Sequence, residues 1–111
     1  MSVKVNGTTI SMTRGDTLKL TITIFDADGT EYVPIEGDSI RFAMKASYKD
    51  PDVLIKKDIP LDTMLLHLEP EDTKNLNMPK QYVYDIELTH ANGDVDTFIA
   101  GGKLSIVEEV D

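Results

Sequence analysis

Apolar and polar residues alternate with a period of two along most of this chain. The alternation is cleanest from Thr17 to Ile24, where Leu18, Leu20, Ile22 and Ile24 share one side and Lys19, Thr21 and Thr23 the other. That period is the signature of a β-strand with one buried face. Val3, Val5, Ile10 and Met12 alternate around Asn6-Gly7, predicting a short first hairpin or an edge strand that changes partner, and Arg14-Gly15-Asp16 makes a tight turn. Asp26-Ala27-Asp28-Gly29 is a second turn, with Tyr32-Val33 as a short strand after it and Glu36-Gly37-Asp38 as a third turn. Ser39 to Lys45 then places Ile40, Phe42 and Met44 inward. Val53 to Ile59 is more charged, as suits an edge strand, where lysine discourages pairing with other chains. Met64 to Leu68 is apolar on both faces, so its orientation is open.

The longest signal is a hairpin over residues 81–99. Tyr82, Tyr84, Ile86 and Leu88 form one face against Asp85, Glu87 and Thr89, and Asn92-Gly93 suits a two-residue type I′ turn, which needs positive φ at both positions. That turn sets Ala91 opposite Asp94, Leu88 opposite Thr97 and Ile86 opposite Ile99. Phe98 then falls opposite Glu87 on the outward side, with Val83 and Val107. These three are the candidate partner-contact residues, since an exposed aliphatic and aromatic strip marks a protein contact. Beyond Ile99 the phase must shift by one residue for Leu104 and Ile106 to face inward, and Gly101-Gly102 is the place for a bulge.

One helical signal interrupts the strands: Pro70 at a first helical position, Glu71 and Asp72 at the positive end of the helix dipole, and Lys74 in the last turn. About seven to eight short antiparallel strands with one helical turn near residues 70–76 define an all-β fold, a two-sheet sandwich. The helical turn leading into the strand of Tyr82 and Tyr84 favours an immunoglobulin-like arrangement, although the Cys-Trp-Cys core of antibody domains is missing. Residues 1–111 make a single domain, large enough to bury roughly two-thirds of its unfolded surface.

Composition removes function classes rather than naming one. The chain has no cysteine, which excludes disulfides, thiolate nucleophiles and thiolate zinc sites together. A net charge of −9 argues against nucleic acid, and Arg41, Lys45, Lys49, Lys56 and Lys57, interleaved with Asp50, Asp52 and Asp58, read as a solvated mixed face. No apolar run approaches the ~20 residues that span a bilayer. The start carries no signal-peptide pattern, so synthesis in the cytoplasm is expected. Asp26 to Glu31 resembles a calcium loop, but Ile24 and Ile35 occupy the two positions where an EF-hand places carboxylates. Arg14-Gly15-Asp16 matches an adhesion tripeptide yet is ordinary turn chemistry. His67 and His90, the only histidines, have no paired acid or nucleophile that the sequence indicates, and His90 beside Asn92-Gly93 is expected to face solvent. Acid pairs such as Asp94/Asp96 or Glu69/Glu71/Asp72 lack the cleft that a glycosidase needs. No enzyme, metal or cofactor is expected.

Four stretches carry a resemblance over nearly the whole chain: Met12 to Thr17, Gly37 to Lys45, Leu66 to Thr73, and Tyr82 to Leu88 with Asn92 to Phe98. They resemble a family of small β-sandwich proteins from phages and prophages of Gram-positive bacteria. The chain is similar in pattern to the N-terminal sandwich domain of siphophage upper baseplate proteins. The resemblance implies an immunoglobulin-like fold and a non-enzymatic role in the virion, in the tail or baseplate. Its partners would be other phage structural proteins or further copies of itself. The motifs are turns and strand faces, so no site residue is carried over. A carbohydrate-binding or host-adhesion module, using exposed Tyr32 and Tyr48, is the alternative.

Overall fold

The structure is a computed structural model. It describes residues 4–6, 9–25, 28–76 and 80–107, with side chains except at 4–6, 80 and 98–101. Val3, Gly7, Asp26, Ala27, Pro79 and residues 108–111, on which some expectations fall, lie outside the described residues. Ten strands and one helix follow in order: β1 (Lys4–Asn6), β2 (Thr9–Thr13), β3 (Leu18–Thr21), β4 (Ile24–Phe25), β5 (Glu31–Tyr32), β6 (Ser39–Lys45), β7 (Ile55–Ile59), β8 (Leu65–Leu68), α1 (Pro70–Lys74), β9 (Lys80–Thr89) and β10 (Val95–Val107). A six-stranded sheet runs β1-β2-β10-β9-β6-β7, and the pairs β3-β8 and β4-β5 form the remaining sheets.

One apolar core joins the layers. Ile10, Met12, Phe42, Met44, Tyr82, Tyr84, Ile86, Leu104 and Ile106 from the large sheet pack in a single cluster with Leu18, Leu66 and Leu68 from β3-β8. The chain is thus an all-β sandwich. Ile40, Phe42 and Met44 are all buried, as the alternation requires. Burial of Leu66 and Leu68 also settles the orientation of β8, with Leu65 and His67 turned outward. At the sheet edge, β7 exposes Lys56.

Three features differ from the sequence reading. The run from Thr17 to Ile24 is two strands: β3 pairs with β8, with Ile22 closing that pairing by donating its N–H to the Met64 carbonyl at 2.7 Å, and β4 pairs with β5. The strands are not all antiparallel, because β2 lies parallel to β10, with Ile10 beside Leu104 and Met12 beside Ile106. The third difference is the hairpin turn. His90 and Asp94 close a three-residue loop, with the His90 N–H donated to the Asp94 carbonyl at 2.7 Å, and Gly93 alone in the loop takes positive φ, at 96°. The register at the loop is consequently one residue off the expected one: Leu88 faces Asp96, and Thr97 rather than Phe98 faces Glu87. A register shift between Thr97 and Ile99 restores Ile86 opposite Ile99, and a second between Ile99 and Gly102 is the expected glycine phase reset. It is this second shift that turns Leu104 and Ile106 into the core.

The helix is fastened at both ends. Asp72 accepts the Glu69 N–H at 2.7 Å and pairs with Lys57 on β7 at 3.0 Å. Thr73 is fully buried, and its Oγ1 accepts the Gly15 N–H at 2.8 Å, tying α1 to the turn between β2 and β3. Thr73→Val keeps the shape and orphans that amide, so it should lower stability by about 1–3 kcal/mol in a denaturant melt. Thr73→Ser, which keeps the acceptor, should recover most of the hydrogen-bond contribution.

Candidate functional site

Two ends of the sandwich differ in chemistry. At one end the loop after β5, the start of β6 and the β9–β10 turn converge. Asp38, at the start of β6, is almost fully buried and accepts three hydrogen bonds. Its Oδ2 takes the Tyr32 hydroxyl at 2.6 Å and the Ile35 N–H at 3.0 Å, and its Oδ1 takes the Ala91 N–H at 3.0 Å. The His90 ring stands edge-on to Tyr32, its Nδ1 3.4 Å from the Tyr32 hydroxyl and its Nε2 2.7 Å from Asp96. Gly37 packs so closely here that a Cβ would sit 2.8 Å from the Ala91 Cβ. His90 is therefore half-buried and partnered, not the solvent-facing turn residue expected, and Tyr32 is not a free aromatic platform.

These contacts hold the charges of the cluster. The Tyr32 hydroxyl, with the Ile35 and Ala91 amides, holds the Asp38 carboxyl below its ordinary value of 3.8. The hydrogen bond to Asp96, together with the nearby charges of Asp38 and Asp94, raises His90 above its ordinary 6.5. The signs set a pH window. Stabilisation from a raised histidine is fully present below 6.5 and is lost as pH rises through the folded value. Stabilisation from a lowered aspartate is present above 3.8 and is lost as pH falls through the folded value. The end should be tightest between about pH 4 and 6.5. Thermal melts should show wild type losing its margin over His90→Asn between pH 6 and pH 9; a margin independent of pH would refute the assignment.

Apolar side chains surround this clamp in the open. Phe25 is 62% exposed, Val33 69%, Ile35 61% and Val95 55%, on the strands and loops that carry the clamp. Sequence reading missed them, but a signal existed. Phe25 follows Ile24 on the polar parity, and Val33 and Ile35 flank Pro34 just before the Glu36-Gly37 turn.

Val83, one of the three predicted contact residues, lies half-buried on the outer face of the large sheet between Lys45 and Lys103. Val107 is exposed on the same face, two outward positions beyond Lys103, and its carbonyl accepts the Arg14 N–H at 2.8 Å. The structure does not join them into one strip, since Lys103 and Ser105 come between. Phe98 sits at the first register shift of β10, and its side chain lies outside the described residues. Beside Val83, Tyr48 is 62% exposed with the Lys103 ammonium 5.2 Å from its ring centre, and Val53 and Leu54 are exposed on the same β6–β7 loop.

The other constellations are occupied locally. Asp28 accepts the Thr30 N–H at 2.9 Å, and the Gly15 amide of the adhesion-like tripeptide is bound to Thr73. Of the acid pairs, Asp96 is engaged by His90 and Asp72 by Lys57. Among the described residues no group of three or more His, Cys, Asp or Glu side chains is placed to hold a metal. No helix there is long and apolar enough to cross a membrane. Comparison of the chain with protein-family models, with curated proteins and with solved structures finds no match.

Proposed function

We propose that this chain is a non-enzymatic contact module of a phage or prophage particle, associated with the tail or baseplate and working through protein–protein contacts. The observation that carries the contact role is the exposed set of Phe25, Val33 and Ile35 on a sandwich whose core is already filled. Such a surface is stabilised when a partner removes it from water. Asp38 and His90 are the titratable groups brought together, and their bonds brace the loops that present this surface. The virion assignment rests on the sequence resemblance.

Strand order supports the immunoglobulin-like connection that the resemblance implies. Taking β3, β6, β7, β8, β9 and β10 as strands B, C, C′, E, F and G gives a G-F-C-C′ sheet over a B-E pair, with α1 at the E–F corner. The alternative, a carbohydrate surface, now rests on Tyr48, because Tyr32 is engaged by Asp38.

Co-expression with the products of the genes flanking its own is the test. The wild-type chain should co-purify with at least one of them, and Phe25→Ser with Ile35→Ser should lose it while melting like wild type. Failure of the wild type to retain any of these products would sink the reading.

A further inference from the structure

The two exposed apolar regions differ in charge as well as position. Between Lys19 and Arg41 the sequence holds five acids and no lysine or arginine, and none occurs between Lys80 and Lys103 either. The fold brings these stretches together at the clamp end, where Asp38 bonds both Tyr32 and Ala91, and exposed Asp28, Glu31, Glu36 and Asp94 share its loops and strand ends with exposed Phe25, Val33, Ile35 and Val95. At the other end of β6, Lys45 and Lys103 flank Val83 across the sheet, Lys49 follows Tyr48, and Lys56 stands beside them on the edge strand. Lys45, Lys49, Lys56 and Lys103 take no part in the ion pairs among the described residues, which join Arg41 to Asp85 and Glu87, Lys57 to Asp72, and His90 to Asp96. Tyr48, Val53 and Leu54 supply exposed apolar area among these lysines, and Asp50 and Asp52 on the same loop offset part of the charge, leaving four lysines against two aspartates and a net basic end.

An acidic apolar end and a basic apolar end are complementary, yet they cannot meet within one molecule. The seven residues of β6 alone hold them roughly 20 Å apart. Two copies of one end cannot pair face to face either, because like charges would be juxtaposed. We propose that the chain self-associates head to tail, the Phe25/Val33/Ile35 end of one copy seating on the Tyr48/Lys103 end of the next. Such a contact is heterologous, and it closes into a ring or runs on as a filament according to the rotation between copies. The proposal deepens the contact-module reading and rests on it, naming a second copy as a partner. Exposed charges set its salt dependence, since the screening length falls from about 10 Å at 0.1 M salt to about 3 Å at 1 M.

The test is sedimentation velocity across a concentration series at low and high salt, with two charge-reversed variants. Glu31→Lys with Glu36→Lys cancels most of the acidic excess at the clamp end and leaves the basic end intact, while Lys49→Glu with Lys56→Glu removes the basic excess of the other end and leaves the acidic end intact. All four positions are exposed, so both variants should fold, as circular dichroism and melts would verify. Wild type should associate with a sedimentation coefficient that rises with concentration, and high salt should weaken it about tenfold or more. Each variant alone should associate about tenfold more weakly than wild type, and an equimolar mixture, which offers the intact basic end of one variant to the intact acidic end of the other, should recover association. A wild type that stays monomeric at low salt throughout the series, or one whose association ignores both variants, overturns the proposal. Co-purification with a flanking-gene product would still stand in that case, which separates failure of head-to-tail contact from failure of the broader reading.

Discussion

Phe42→Ala is expected to lower stability by about 3–5 kcal/mol, the range for deleting a fully buried aromatic ring. Phe42 has no exposed surface and sits in the middle of β6, between Ile86 of β9 and Lys57 of β7. Its ring lies 5.3 Å from that of Tyr84, tilted by 34°, so the substitution removes an aromatic contact as well as buried area. Domains of this size are stable by only about 5–15 kcal/mol, so one such loss threatens the folded state. Equilibrium urea unfolding should show a lower midpoint with an unchanged slope. A loss under about 1 kcal/mol would mean that the core closes over the gap far better than cavities of this kind do.

Gly102→Val should lower stability by about 3 kcal/mol, at the upper end of what overpacking does to a filled core. A Cβ at Gly102 would lie 2.5 Å from Tyr84 Cζ and 2.6 Å from Cε1, far inside any tolerated contact. The phenol end of a tyrosine could swing aside at a surface, but Tyr84 is 4% exposed and is backed by Phe42. Burial also raises the Tyr84 phenol above its usual pKa of 10.0, so the group stays neutral through the physiological range and cannot escape by ionising. Gly102, Tyr84 and Phe42 form one stack, and their substitutions should not add. Combining Phe42→Ala with Gly102→Ala should be less damaging than the sum of the two, because the space opened at Phe42 admits the displaced ring. Strict additivity in that double-mutant cycle would show that Tyr84 does not transmit the clash.

Gly102 also shows how far local pattern reaches. The apolar phase of Leu104 and Ile106 against that of Ile86 and Ile99 demands an odd residue between them, and two adjacent glycines mark where it goes. That the vacancy left by Gly102 is filled by the ring of Tyr84 is a cross-strand fact, and nothing within residues 99–106 contains it.

The acidic side of the charge segregation is legible in the same way, as stretches of sequence without a basic residue, while the lysines read locally as a mixed face. Its consequence, opposed ends on one sandwich, needed the fold to bring residues 28–38 next to 90–96.

By itself the sequence determined the inward faces of β6 and β9, the turns at Gly15, Gly29, Gly37 and Gly93, the helical turn at Pro70 and the glycine phase reset. Each follows from a rule that acts over a few residues, such as the two-residue period of a strand or the steric freedom of glycine. Tertiary structure alone decided the hairpin loop. Asn92-Gly93 fits both a two-residue type I′ turn and a three-residue loop ending in a left-handed glycine, and the local preferences of the two do not choose between them. The three-residue form places the Ala91 amide on Asp38, a contact across 53 residues, and sets His90 between Tyr32 and Asp96. Satisfying a buried carboxylate outweighs a preference between turn types, because leaving buried polar groups unpaired is the larger loss. The split of the run from Thr17 to Ile24, the parallel seat of β2 on β10 and the open end bearing Phe25, Val33 and Ile35 depend in the same way on partners far along the chain.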